Sequence, residues 1–187
     1  MGQGGAKAQL LLLNTDGAGH FSVKGDSNQG GSISQETDSG TYVVSSNGRT
    51  TTGTQGPILY LIDKNRAFAL DTGSSVGLGT IEPQAPGPFS NASVMGSYVG
   101  GTLIPVELGA QNSLDAVSAD GAGTVISSEY SSGPSGLNQG TGFNSLYNIA
   151  PNGRGSTPDG TVIYLLSPGK FVVLPNDSNP TLQVYEH

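Results

Sequence analysis

The sequence predicts an all-β protein of two tandem antiparallel meander modules, barrel-like in architecture, with a β-sandwich as the alternative. Three observations support this: a domain-sized internal repeat, short apolar segments between turn residues, and the lack of sustained helical periodicity. The 187 residues include 30 Gly and 11 Pro, a composition that favours turns over helices.

Four motifs occur twice in the chain, separated by 104 or 105 residues. Such a period is far longer than the roughly 20–50 residues of solenoid or propeller repeats, so it indicates two copies of one module. One single-residue insertion or deletion reconciles the two offsets. The pairs are 16–19 with 120–123, Tyr42 with Tyr147, 47–49 with 152–154, and 60–62 with 164–166.

Short apolar segments bounded by Gly, Pro, Asn, Asp or Ser predict fourteen strands along the chain. In the first module these are 9–14, 20–24, 40–45, 58–62, 67–70 and 78–82. In the second they are 92–100, 102–108, 115–119, 124–130, 145–149, 162–166, 171–174 and 182–185.

Paired dipeptides between these segments predict the hairpin turns. Asp-Gly and Asn-Gly supply the positive φ that tight hairpins need. Because short strands joined by short turns form a meander, closure into an up-and-down barrel would remove its exposed edges. The predicted turns are Asp16-Gly17, Asp120-Gly121, Asn47-Gly48, Asn152-Gly153, Lys64-Asn65 and Pro168-Gly169.

A Pro-rich linker separates the two predicted modules. Module one is expected at 1–84, the semi-rigid linker at 85–88 and module two at 89–187. Residues 89–108 have almost no counterpart in module one. Module one is therefore expected to lack a leading strand.

Charge and composition exclude several functional classes. The formal net charge is −7, and the seven Lys and Arg are scattered, which argues against nucleic-acid binding and anionic lipid. Without Cys there is no disulfide or thiolate site. The longest apolar run, 10–13, is too short to cross a bilayer, so no membrane insertion is expected. The start of the chain has no apolar signal-peptide region, and we expect residues 1–8 to be an added tag or the trimmed start of a precursor.

The order of the motifs resembles a repeat module of uncharacterised secreted or surface proteins from Acidobacteria. The order is Asp-Gly-x-Gly, Gly-x-Tyr, Asn-Gly-Arg, an aromatic hairpin and a closing strand with Glu. The second copy departs from it in having Leu146-Tyr147 where the first has Thr41-Tyr42. The resemblance implies β-rich modules with an extracellular or cell-surface location, and no established activity. The matching stretches are 16–19, 40–49, 60–70, 77–84, 120–123, 147–155, 164–174 and 182–186.

Asp71-Thr72-Gly73, followed by Ser74 and Ser75, looks like the catalytic loop of an aspartic protease. That chemistry needs two carboxylates that share one proton. The repeat places Pro175 opposite Asp71, so the chain has no second such loop. Only a homodimer could then bring two Asp71 side chains together, whereas a turn after a hairpin strand explains Asp, Gly and Ser at these positions. We therefore interpret the motif as a decoy and predict that the protein is not an enzyme.

The metal candidates are weak, and no cofactor is expected. Asp16 and Asp120 each offer one carboxylate in a loop, whereas calcium requires six to eight oxygen ligands. A hairpin turn accounts for both residues without an ion. His20 and His187 are far apart in sequence and form no zinc-binding pattern.

Two tyrosine pairs recur in the repeat and are the candidate ligand-stacking residues. They are Tyr42 with Tyr147, and Tyr60 with Tyr164. Half-buried strand aromatics are the competing interpretation. Because the chain has no Trp, a carbohydrate site would have only smaller aromatic side chains to stack on the sugar.

These observations predict a non-enzymatic structural or assembly module, in which module one exposes an incomplete sheet edge. The expected partner is a second copy of the chain, joined through that edge as in a filament, or another surface protein. The alternative is a β-barrel module that binds a small ligand or a carbohydrate. The short strands favour a filled interior over a wide one.

Overall fold

The computed structural model describes residues 7–53, 56–73, 77–103, 112–140 and 142–187. These ranges form two β-sheets, with one 3₁₀ turn at Asn91–Ser93, so the all-β prediction is confirmed. Within them, no helix is long and apolar enough to cross a membrane. The predicted strand 102–108 lies mostly outside the described residues.

The first sheet is a simple meander in which each strand pairs with the next along the chain. Its order is β1-β2-β3-β4-β5-β6-β7, so β1 and β7 are its edges. The strands are β1 (Lys7–Thr15), β2 (His20–Gln29), β3 (Ser32–Val44), β4 (Arg49–Thr52), β5 (Ile58–Asp63), β6 (Arg66–Leu70) and β7 (Leu78–Ile81).

The second sheet has ten strands and is barrel-like. The strands are β8 (Met95–Thr102), β9 (Asn112–Asp120), β10 (Thr124–Gly133), β11 (Gly136–Gln139), β12 (Phe143–Leu146), β13 (Asn148–Ile149), β14 (Arg154–Ser156), β15 (Val162–Ser167), β16 (Lys170–Leu174) and β17 (Gln183–Glu186). The main order is β11-β10-β9-β8-β17-β16-β15-β14-β13, and β12 pairs with β10. Only one residue separates β12, which pairs with β10, from β13, which pairs with β14, so the sheet curls until its two ends are adjacent along the chain.

The repeat is visible in matching backbone hydrogen bonds. Tyr42 N–H donates to the Gly19 carbonyl at 2.8 Å, and Tyr147 N–H donates to the Gly123 carbonyl at the same distance. Matching register shifts interrupt the β5–β6 and β15–β16 pairings. The hairpin glycines have the predicted positive φ at Gly17 (71°), Gly48 (80°), Gly121 (72°) and Gly153 (84°).

One strand of the second sheet breaks the correspondence. β8 lies between β9 and β17, and these two strands correspond in the repeat to β1 and β7. Among the described residues, no strand of the first sheet occupies the position of β8. β8 lies close to both neighbouring strands at Gly100 and Gly101, where a side chain would collide with the backbone of the neighbours. A Cβ at Gly100 would lie 2.1 Å from the Val184 carbonyl oxygen.

The chain divides into two compact units that are discontinuous in sequence. Among the described residues, the first comprises 11–25 and 35–83, and the second comprises 7–10, 26–34 and 84–187. In the second unit, aromatic and aliphatic side chains of the barrel interior form the core, among them Tyr98, Leu165 and Phe171. In the first unit, Leu59 and Ala67 are buried, whereas many large apolar side chains are exposed.

Several strands differ from the sequence-based expectation. β3 begins eight residues earlier than predicted, and β4, β11 and β14 were not predicted. These segments are rich in Ser, Thr, Gly and Asn, and their strand character comes from pairing with neighbours rather than from apolar alternation. The predicted strand 92–100 begins instead with the 3₁₀ turn, and β8 starts at Met95.

Candidate functional site

The Asp71 loop is an exposed turn that follows β6. The Asp71 carboxylate accepts the Gly73 N–H at 3.0 Å, and the Thr72 hydroxyl donates to the Gly56 carbonyl at 2.9 Å. Ser74 and Ser75 lie outside the described residues. A carboxylate that caps its own turn is the ordinary role of Asp after a strand.

The two weak metal candidates, Asp16 and Asp120, hold their own hairpin loops together. Asp16 Oδ1 accepts the N–H groups of Ala18 (2.7 Å) and His20 (3.0 Å). Asp120 Oδ1 accepts three N–H groups, those of residues 122, 123 and 124. These backbone donors lower the pKa of Asp16 to about 2 and lower the pKa of Asp120 as well. In the part of the chain that the structure describes, no three His, Cys, Asp or Glu residues are grouped so that they could hold a metal.

The four repeat-paired tyrosines differ in exposure. Tyr147 is buried, and its hydroxyl donates to the Val94 carbonyl at 2.8 Å. Tyr164 is also buried, and its hydroxyl donates to Asp26. Tyr42 is partly buried, whereas half of the Tyr60 side chain is open to solvent. Stacking on a ligand stays a prediction, and Tyr60 is the most accessible ring for it.

A buried ionic cluster in the second unit was not anticipated from the sequence. Asp26 is fully buried and accepts the Nε–H and Nη2–H of Arg154, both at 2.7 Å, and the Tyr164 hydroxyl at 2.7 Å. The bond to Asp26 raises the pKa of Arg154. Burial, and then the bond to Asp26, raises the pKa of Tyr164. The cluster therefore holds a carboxylate, a guanidinium and a neutral phenol in fixed positions.

Local sequence gave little indication of this cluster. Asp26 lies in Gly-Asp-Ser-Asn, which is typical of a surface turn, and its partner Arg154 follows 128 residues later. The available signal was the repeat itself, because Arg154 and Tyr164 match Arg49 and Tyr60. Arg and Tyr recur on neighbouring strands in both copies, 11 residues apart in the first and 10 in the second, which indicates that the two side chains share one face of the sheet.

The barrel interior of the second unit contains a second polar cluster. Asp115 and Glu129 are cross-strand partners on β9 and β10. The Tyr185 hydroxyl donates to Asp115 Oδ2 at 2.6 Å, and Ser113 Oγ contacts the same oxygen at 3.4 Å. Burial raises the pKa of both carboxyl groups, and the nearby charge of Asp115 raises that of Glu129 further.

An unsatisfied hydroxyl lies next to this pair. Ser127 is on the same face of β10 as Glu129, and its Oγ is buried without a hydrogen-bond partner. A buried, unpartnered polar atom is uncommon in folded proteins. The two acids and this hydroxyl together form a polar surface within the otherwise apolar barrel interior.

No family model matches the chain, and no curated protein matches it. A crystal structure of a protein with unknown function from the DUF3598 family of Nostoc punctiforme is similar at 12% identity, over 96% of this chain and 86% of that one, with a TM-score of 0.30. The function of that protein is unknown, so the similarity supplies no activity for this chain.

Proposed function

We propose that this chain is a non-enzymatic structural module of a secreted or cell-surface protein, and that another chain supplies a strand to its first sheet. The observation that carries the proposal is the position of β8. In the second sheet β8 pairs with both β9 and β17. The corresponding strands of the first sheet, β1 and β7, have no such strand between them among the described residues.

The chemistry of the β1 edge supports strand addition. β1 is nine residues long and contains four consecutive leucines, 10–13. A long, apolar edge strand exposes unpaired backbone groups that readily pair with another chain. Natural edges usually carry Lys, Pro or a bulge to prevent this, whereas the middle of β1 has no charged residue.

Light scattering coupled to size-exclusion chromatography tests the proposal over a wide range of protein concentration. We expect concentration-dependent oligomers, and we expect Leu11→Lys, which places a charge on the exposed edge strand, to reduce them. Val99→Lys is the matched control, because Val99 is an exposed residue of β8, a strand with neighbours on both sides. A protein that stays monomeric at every concentration would contradict self-assembly.

A second test supplies the missing strand directly. A peptide with the sequence of residues 94–103 contains β8, and we expect it to bind the full-length protein and to dissolve the oligomers. A scrambled peptide of the same composition is the control. Equal effects of the two peptides would refute pairing at this edge.

The polar interior of the second unit favours one alternative, a barrel that binds a small polyhydroxylated ligand such as a sugar. Asp115 and Glu129 would accept ligand hydroxyls, and Ser127 would gain the partner it lacks. A thermal-shift screen against mono- and oligosaccharides tests this, with Asp115→Asn as the variant. A shift that is equal in the variant, or absent throughout, would remove the alternative.

A further inference from the structure

The outward-facing side of β14–β16 in the second unit is covered by protein. Tyr164 is 5% exposed and Leu174 is 0% exposed, although both point away from the barrel interior that Ile163 and Leu165 fill. The alternation of side chains along a strand places Tyr164 and Leu165 on opposite faces. Both faces of β15 are therefore buried, which is unusual for an antiparallel barrel with one solvated side.

The cover is the tip of the β2–β3 hairpin, residues 26–34, which belongs to the second unit. Asp26 contributes the carboxylate that bonds Arg154 and Tyr164. Two residues further along, the Asn28 amide donates to the carbonyls of Pro175 (2.7 Å) and Asp177 (2.9 Å). An Asp-x-Asn segment on a hairpin thus recognises an Arg–Tyr pair and the chain that follows β16.

The first unit presents the same kind of surface without a cover. We define the first-unit face as the outward side of β4–β7. Tyr60 is 50% exposed where Tyr164 is buried, and Leu70 is 47% exposed where Leu174 is buried. The residues of the first-unit face are Arg49, Ile58, Tyr60, Phe68, Leu70 and Leu78.

The first-unit face carries the same cross-strand pair of Arg and Tyr as the second unit. Arg49 is the cross-strand partner of Tyr60, as Arg154 is of Tyr164. In the described ranges, neither the Arg49 guanidinium nor the Tyr60 hydroxyl makes a hydrogen bond. The face therefore combines a cation and a phenol without partners with a patch of exposed apolar side chains, a composition typical of interaction sites.

We propose that the first-unit face binds a β-hairpin of another polypeptide that carries a carboxylate and, two residues later, an amide, in the manner of Asp26 and Asn28. The carboxylate of the bound hairpin pairs with Arg49 and Tyr60, and the apolar side chains of that hairpin pack on Phe68 and Leu70. The Arg49 charge selects an acidic hairpin, because a neutral one would bury the guanidinium without compensation. This binding uses the face of the sheet, so it does not depend on strand addition at β1 or β7.

The other hairpin of this chain fits the site poorly. The repeat counterpart of Asp26 is Tyr130 at an offset of 104 residues, or Ser131 at 105, and neither has a carboxylate. The β10–β11 hairpin of a second copy would therefore leave Arg49 unpaired. The charge complementarity favours an acidic hairpin of a different repeat module over the β10–β11 hairpin of this chain.

A backbone-cyclised peptide with the sequence of residues 24–37 is the probe, titrated calorimetrically into the full-length protein. We expect saturable binding with one peptide per chain. An Asp26→Asn peptide is expected to bind at least roughly tenfold more weakly, because the charged half of the Arg49 contact is lost.

Protein variants locate the site and decide the outcome. Arg49→Met and Tyr60→Phe are expected to weaken binding, by about tenfold or more for Arg49→Met. Arg66→Met is the matched control, since it removes the same charge from an exposed arginine that already pairs with Asp63. No binding, equal binding of both peptides, or binding that survives Arg49→Met would overturn the proposal. Self-association that Arg49→Met abolishes would overturn the acidic hairpin as occupant and assign the face to a second copy.

Discussion

The guanidinium of Arg154 forms a two-bond fork on the fully buried carboxylate of Asp26, with both N–H···O distances at 2.7 Å. The planar guanidinium matches the geometry of the carboxylate. The two hydrogen bonds therefore offset part of the free-energy cost of removing both charged groups from water. Together with the two hydrogen bonds of the Asn28 amide, this contact joins residues 26–34 to the rest of the second unit.

Arg154→Met is expected to destabilise the second unit by about 3–5 kcal/mol, because it leaves a buried carboxylate without its cation. Urea unfolding followed by circular dichroism measures the change. The repeat provides the control: Arg49→Met removes the counterpart arginine, whose guanidinium makes no hydrogen bond with the residues that the structure describes, and its effect should stay within about 0.5 kcal/mol. Similar effects of the two substitutions would contradict the assigned role of the fork.

The stability of the second unit should fall as pH rises through the titration of Asp115. Burial raises the pKa of this carboxyl in the folded protein, so its favourable contribution is complete below the unfolded pKa, about 4, and is lost above the folded pKa. Asp115→Asn cannot ionise. The melting temperature of the variant should therefore rise relative to that of the parent between acidic and neutral pH, and a pH-independent difference would refute this.

Gly17→Ala is expected to destabilise the first unit by about 1–2 kcal/mol. Gly17 has a φ of 71°, and a Cβ there meets no atom within 4 Å, so the cost is backbone strain alone. Gly79→Ala is the control in a strand, where a Cβ also meets nothing and φ is ordinary. We expect Gly79→Ala to be neutral or slightly stabilising in thermal unfolding.

Tyr147→Phe is expected to cost about 1–2 kcal/mol, because the buried Val94 carbonyl, 2.8 Å from the tyrosine hydroxyl, would lose its donor. Tyr42→Phe changes the repeat counterpart, which is partly exposed, and should have little effect. Chemical unfolding of both variants provides the comparison. A larger loss for Tyr42→Phe than for Tyr147→Phe would contradict the assignment.

The sequence was sufficient for features that depend on local chemistry. Asn47-Gly48 and Asn152-Gly153 predicted tight turns because Gly reaches positive φ without strain, and both glycines have it. The strands with strong apolar content, such as β5 and β15, were predicted within one or two residues. The repeat offsets were confirmed by matching hydrogen bonds in the two sheets.

Features that depend on distant partners were not predictable in this way. β4 and β14 are short and polar, and each becomes a strand because an apolar neighbour pairs with it. The burial of Asp26 requires Arg154 and Tyr164, and Asp26 itself lies in a sequence typical of a turn. The cross-strand pair of Asp115 and Glu129 requires the register of β9 against β10, which a single strand pattern does not fix.

The membership of residues 26–34 in the second unit has a consequence for biosynthesis. A ribosome adds Asp26 long before Arg154, and at about 5–20 residues per second the carboxylate waits on the order of ten seconds for its partner. During that interval the hairpin tip is an acidic, solvated segment. The segment can pack in the second unit only after the chain has been translated past residue 164. The order of the residues along the chain therefore means that the second unit is completed after the first.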